Sequence, residues 1–170
     1  MESFTLPAAG GIIEQTRDDG MVYVLIQERW KEEAPNESGL LEIPAGKIRA
    51  FESVFDCLRR EVREETGLRV VKIWGETEAS WTEINGYRVI NYAPFACAQN
   101  VEGHYPIMVQ VFICEVQGEA LRVSDESQNL QWVALAELQQ KLATQPEKFY
   151  PMHVKTLEQY LKYREIYFRR

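Results

Sequence analysis

The sequence predicts one domain of the α/β (α+β) class, and three observations carry that expectation. A chain of 170 residues is the size of one ordinary domain. Its N-terminal part reads as short β-rich runs separated by turn residues and broken by a single amphipathic helix. Its C-terminal part ends in two helical patterns, with no Pro/Gly/Ser-rich linker and no fixed-period repeat before them.

The runs Ala8–Glu14 and Met21–Gln27 are strand-like, and the turn-prone Arg17-Asp18-Asp19-Gly20 between them predicts a hairpin. Lys31–Ser38 is polar, carries Pro35 and Asn36, and reads as a surface loop. Leu40-Leu41-Glu42-Ile43 is a short strand stopped by Pro44, after which Ala45-Gly46 opens a turn. From Ser53 to Glu65 the period is helical, with Val54, Phe55, Leu58 and Val62 on one side, and Thr66-Gly67 ends the helix. Strand patterns follow at Leu68–Trp74, Arg88–Ala98 and Ile107–Val116, with Asn85-Gly86 a turn signal between the first two. Leu130–Val133 reads as a further strand, Leu135–Leu142 as a short helix and Met152–Phe168 as a longer amphipathic one. That last helix packs on its own sheet or caps a homodimer interface.

A composition of 45% hydrophobic and 26% charged residues excludes intrinsic disorder. No window approaches the length of uncharged residues that a membrane helix needs. Glu2 stands where a secretory signal would carry basic residues. The three cysteines, Cys57, Cys97 and Cys114, are widely spaced with no CxxC pair. They point away from a disulfide framework and toward a reducing cytoplasm. A net charge of −7 gives no basic stripe for nucleic acid. A phosphorylated small molecule remains an admissible partner, provided that something local, such as a divalent cation, supplies positive charge.

The segment Gly46–Leu68 carries the chemistry. At 100° per residue its helix sets Glu61 and Glu65 beside the apolar sector, Glu65 on its rim, and Glu64 farther round on the same flank. Like charges at i,i+3 and i,i+4 cost a helix a few tenths of a kcal/mol each. Two readings account for them. One is a solvated face stapled by Arg59, Arg60 and Arg63; the other is a cradle of carboxylate oxygens for a hard divalent ion, Mg²⁺ or Mn²⁺.

The same segment resembles, position for position, the Nudix box, through Gly46, Glu52, Arg60, Glu61, Val62, Glu64, Glu65, Gly67 and Leu68. A chance match of this kind has a probability on the order of 10⁻⁸ to 10⁻⁷. The resemblance implies a Nudix-type α/β/α sandwich with a mixed sheet, spanning residues 1–170 as one domain. It implies metal-dependent hydrolysis of a nucleoside diphosphate derivative by water attack on phosphorus. Carried over by residue, Glu61, Glu64, Glu65 and the Gly46 carbonyl would bind metal, Arg60 would orient the carboxylates, and Glu52 would pair with Arg60. The general base would be Glu126, on the polar loop Val123–Asn129, with Asp125 second, or Glu64 itself.

The flank Glu42-Ile43-Pro44-Ala45-Gly46-Lys47-Ile48 is similar to that of ADP-ribose and nucleotide-sugar pyrophosphatases. Two positions depart from that pattern: Phe51 stands where many of these enzymes have glycine, and Trp81–Ile84 where a proline marks the ADP-ribose branch. Arg29, Trp30, Lys47 and Arg88 are candidate substrate contacts, and Trp81, Tyr87 and Tyr105 further candidates for base stacking. The alternatives are a nucleoside triphosphate or RNA 5′-end pyrophosphohydrolase and, in another class, a nucleotide-sensing domain that binds without cleaving.

Overall fold

The computed structural model describes residues 2–30, 35–121 and 127–168. An eight-stranded mixed sheet forms its middle layer. Its main path runs β10 (Ser127–Ala134), β2 (Val22–Arg29), β1 (Leu6–Thr16), β9 (Ile107–Gln117) and β5 (Arg69–Ile73). The short strands β3 (Leu41–Glu42), β4 (Ala45–Lys47) and β8 (Ala96–Gln99) pair with β2, β1 and β9 respectively. β1 and β9 are parallel, from Leu6↔Ile107 to Glu14↔Glu115. The other pairings are antiparallel.

Successive side chains of β1 face opposite ways, which builds two cores from one strand. Ile12 joins Val24, Val111 and Val133 under α2 (Leu135–Thr144) and α3 (Pro151–Phe168), whose Leu138, Leu157 and Tyr160 are fully buried there. Ile13 joins Leu25, Phe112 and Cys114 under α1 (Val54–Thr66), with Phe55, Leu58 and Val62. The result is an α/β/α sandwich. Glu14 is buried in it and neutralised: Tyr160 donates to its carboxylate at 2.6 Å and Arg164 of α3 lies 2.8 Å away.

α1 is the helix that the period predicts. The Asp56 N–H donates to the Ser53 hydroxyl at its start, and Gly67, at φ 74°, closes its end with a bond to the Arg63 carbonyl. Its apolar stripe is buried, and so is Glu65 on the rim.

Three sequence expectations are corrected. Ala45-Gly46 does not open a turn but lies in β4, because β1 offers Ala8–Gly10 as an antiparallel partner. Arg88–Ala98 is not one strand: Pro94 lacks the N–H a ladder needs, and the stretch divides into β7 (Tyr87–Asn91) and β8. Asn85-Gly86 turns within a separate two-stranded hairpin of β6 (Ser80–Ile84) and β7. β6 escapes detection because Trp81, Thr82, Glu83 and Ile84 are all exposed and show no inside–outside alternation.

Candidate active site

β4 delivers Gly46 against α1, and this close approach shapes the site. A Cβ at position 46 would come within 3.0 Å of Cδ and both oxygens of the Glu61 carboxylate. Only a glycine lets that carboxylate lie over the β4 backbone. The Gly46 carbonyl accepts a weak bond from the Cys57 thiol at 3.6 Å. Burial above all, and then the Glu52 charge, push that thiol up to about 12, so it stays protonated.

Arg60 is the hub of the acidic cluster. Its Nε and Nη2 donate to the two oxygens of Glu52 at 2.7 and 2.8 Å, Nη1 contacts Glu61 and reaches Glu64 at 3.2 Å, and Nη2 donates to the Lys47 carbonyl at 3.1 Å. The bonds from Arg60 dominate over desolvation and, with the Arg49 N–H, hold the Glu52 carboxyl down at about 2. In return Glu52 and Glu61 raise the guanidinium pKa of Arg60 above its usual value. The bidentate Arg60–Glu52 pair fixes the plane of the guanidinium. Glu64 is half exposed, with Arg49 at 3.7 Å. Glu65 is buried, and accepts from Gln27 Nε2 at 2.7 Å and from the Ala45 N–H at 3.3 Å.

Glu52, Glu61 and Glu64 are thus brought together on Arg60, while Glu65 is tied to β2 and β4. Among the described residues no three His, Cys, Asp or Glu side chains already form a metal-holding group.

These groups open onto a cleft of about 430 Å³. Gly46, Lys47, Arg49, Arg60, Glu61 and Glu64 line it from one group of elements, and Arg29, Glu37, Glu42, Tyr105, Tyr150 and His153 from another. Arg29 bonds Glu37 at 2.9 Å and Glu42 at 3.0 Å and lies over the Tyr150 ring at 4.4 Å. Lys47 Nζ lies 4.8 Å above the Tyr105 ring.

Of the substrate candidates, Arg29 and Lys47 line the cleft, whereas Trp30 and Arg88 do not. Trp30 is half exposed at the end of β2. Arg88 stacks on Trp81 at 4.4 Å and pairs with Glu83 at 3.1 Å on the β6–β7 hairpin. Glu126 and Asp125 lie outside the described residues. Sequence reasoning missed Glu37 and Tyr150, gave His153 no role, and singled out Glu42 only as part of the run Glu42–Ile48. Glu37, Tyr150 and His153 are scattered along the chain, and no spacing joins them to the rest of the cleft.

Comparison with known proteins follows the same outline. A model of the NUDIX domain matches residues 5–153. The ORF135 protein of E. coli is similar in structure, with a TM-score of 0.61, 20% identity, and coverage of 98% of this chain and 96% of that one. The NUDIX domain of Shewanella oneidensis NrtR, solved in complex with ADP ribose, has a TM-score of 0.64 at 15% identity, over 95% of this chain and 90% of that one. A C. elegans Ap4A hydrolase has a TM-score of 0.57 at 14% identity, over 95% and 99%. No curated protein matches the sequence significantly.

Proposed function

The chain belongs to the NUDIX family and is a pyrophosphohydrolase of nucleoside diphosphate derivatives, and from that premise we propose that its substrate is a nucleotide sugar, with ADP-ribose the first candidate. One observation carries this reading. Glu42, Ala45, Gly46 and Lys47, from the run that resembles nucleotide-sugar pyrophosphatases, line the same cleft as Arg60, Glu61 and Glu64. The cleft volume falls within the ~300–1,000 Å³ of small-molecule sites. The ADP ribose held by the NUDIX domain of NrtR adds support.

Hydrolases of this family generally need divalent metal ions. The residues present fit one: all donors are carboxylate or carbonyl oxygens, the choice of hard ions, and Gly46 leaves room for the Glu61 carboxylate. Glu61, Glu64, Glu65 and the Gly46 carbonyl would hold Mg²⁺ or Mn²⁺. When bound, the ion supplies charge neutralisation at the diphosphate and acidifies a water.

The remaining roles belong to the chain. Arg60, anchored on Glu52, sets the direction of the Glu61 and Glu64 carboxylates. Lys47 and Arg49 line the same cleft and draw the phosphates in. Tyr105 and Tyr150 offer ring faces to the nucleoside. As water bonds to phosphorus and the phosphoanhydride bond breaks, Glu126 or Glu64 takes the water's proton. Residues 1–170 act as one domain in this proposal, and the three free cysteines favour the cytoplasm as its compartment. Among the described residues no helix is long and apolar enough to cross a membrane.

The test is nucleotide release from ADP-ribose, UDP- and GDP-sugars, dinucleoside polyphosphates and nucleoside triphosphates, with Mg²⁺, Mn²⁺ or EDTA. A preference for one nucleotide sugar, silenced by EDTA, supports the proposal. A triphosphate cleaved best would replace it with triphosphate housecleaning.

A further inference from the structure

The cleft contains a side chain that the proposed chemistry does not use. His153 is 1% exposed, lies in the first turn of α3, and lines the same cleft as Gly46 and Glu61. Its Nδ1 is buried and has no hydrogen-bond partner among the described residues. Its ring meets Tyr150 at 5.6 Å with an interplanar angle of 56°, a tilted contact. Arg29, which lies over the same Tyr150, has only N–H groups to offer, and its Nε and Nη1 donate to Glu37 and Glu42.

A buried polar atom left without a partner is destabilising, and native structures rarely keep one without cause. Leucine or phenylalanine would fill this position without that penalty. In a sealed core the orphan would have no explanation; His153 lies on the wall of a cleft, where a turn of the ring about its Cβ–Cγ bond brings a nitrogen to face a ligand. Burial, and secondarily the Arg29 charge, hold the imidazole down at about 3. At neutral pH it is therefore uncharged, with one nitrogen donating and the other accepting. A neutral ring contributes little to holding phosphate but pairs well with a hydroxyl or a base edge.

We infer that His153 is a specificity-determining residue, forming a hydrogen bond with the uncharged part of the substrate, the base edge or a sugar hydroxyl. The inference rests on the proposed pyrophosphohydrolase activity toward nucleoside diphosphate derivatives. It assigns the two ends of the cleft different tasks. The Gly46–Arg60 end takes the diphosphate, and the Tyr150–His153 end reads what the diphosphate is attached to. A site built around a buried hydrogen-bonding group discriminates strongly, because a ligand without the complementary group leaves it unpaired.

The experiment compares wild type, His153→Leu and His153→Asn in steady-state kinetics with Mg²⁺. The substrates are ADP-ribose, its 2′-deoxy form, ADP-glucose, UDP-glucose and GDP-mannose, and the melting temperature of each variant is measured in parallel. Asparagine places a polar atom near the position of Nδ1. The expected result for His153→Leu is a KM about tenfold or more higher for the best substrate, with kcat within threefold. The ratio of kcat/KM between best and worst substrates shrinks to match, and the melting temperature does not fall. His153→Asn recovers part of the discrimination. The substrate pair whose ratio collapses tells base from sugar: adenine against uracil in the two glucose compounds, or ribose against deoxyribose or glucose in the ADP compounds. Unchanged ratios in an active His153→Leu enzyme overturn the inference alone, as does a lower melting temperature with normal kinetics. A wild-type enzyme that hydrolyses none of the panel overturns the proposed function and this inference with it.

Discussion

Replacing Gly46 by alanine tests the geometry on which the candidate site rests. The structure gives no positive φ at this position, so the backbone accepts alanine, and any effect must come from the added methyl group. That methyl would fall inside 3.0 Å of three atoms of the Glu61 carboxylate. The carboxylate must then leave its place against Arg60, where both side chains are largely shielded, at 13% and 16% exposure. Losing a charged hydrogen bond there costs about 1.5–3 kcal/mol, a drop of about 3–12 °C in melting temperature for a chain of this size. Turnover should fall further, by about 10²-fold, because a ligand displaced by an ångström is misaligned for in-line attack. The decisive assay is a double-mutant cycle with Glu61→Ala, followed by urea denaturation and by activity. With the carboxylate gone the methyl has nothing to strike, so Gly46→Ala in that background should cost under about 0.5 kcal/mol and no further activity. Equal costs in both backgrounds would refute the argument, since the damage would then lie in the β4 backbone rather than in Glu61.

Four other outcomes follow from particular residues. Phe51 has φ 62° and a fully exposed ring, at the third position of a turn closed by the Glu52 N–H on the Arg49 carbonyl. Phe51→Gly should therefore stabilise the protein by about 1 kcal/mol, and a lower melting temperature would contradict this. Glu65→Ala strands the buried Gln27 amide and the Ala45 N–H and should cost about 2–3 kcal/mol in denaturant titrations. Glu64→Gln, half exposed, should cost under about 0.5 kcal/mol, although both substitutions are expected to lower turnover. His153 carries the pH prediction. Its folded pKa, about 3, lies below the unfolded value near 6.5. Above that value both states are neutral and nothing is at stake. As the pH falls from about 6.5 toward 3, only the unfolded chain takes the proton, and stability declines, by about 2 kcal/mol at pH 5. His153→Leu should flatten the slope of stability between pH 6.5 and 5; an unchanged slope would place the acid sensitivity elsewhere.

What the sequence revealed and what it concealed divide along a physical line. α1 was legible because its causes are local: the Ser53 cap, the spacing of Val54, Leu58 and Val62, and Gly67 in the left-handed region. The acidic flank was legible for the same reason, down to the burial of Glu65, which the helical wheel had placed on the rim of the apolar sector. Arg60 as the partner of Glu61 and Glu64 was legible too, but the distant partners of buried carboxylates were not. Gln27 meets Glu65 across 38 positions and Tyr160 meets Glu14 across 146, and no spacing rule reaches that far. The cleft's other half was hidden in the same way, since Tyr150 and His153 join Arg29 only once α3 has packed on the sheet. β4 was misread because a strand of three residues exists only by virtue of the strand beside it.

The parallel pairing of β1 with β9 also bears on how the chain is made. Leu6 waits for Ile107 and Glu14 for Glu115, so the innermost strand of the sheet emerges from the ribosome long before one of its three partner strands is synthesised. At ~5–20 residues per second that interval is about 5–20 s, far longer than the microseconds in which a hairpin closes. During it, β1 can pair with β2 and β4 but presents its other edge, and the apolar faces around Ile12 and Ile13, unpaired. The sandwich can close only after β9 has left the exit tunnel. For that interval β1 is a strand with one edge clothed and one edge bare.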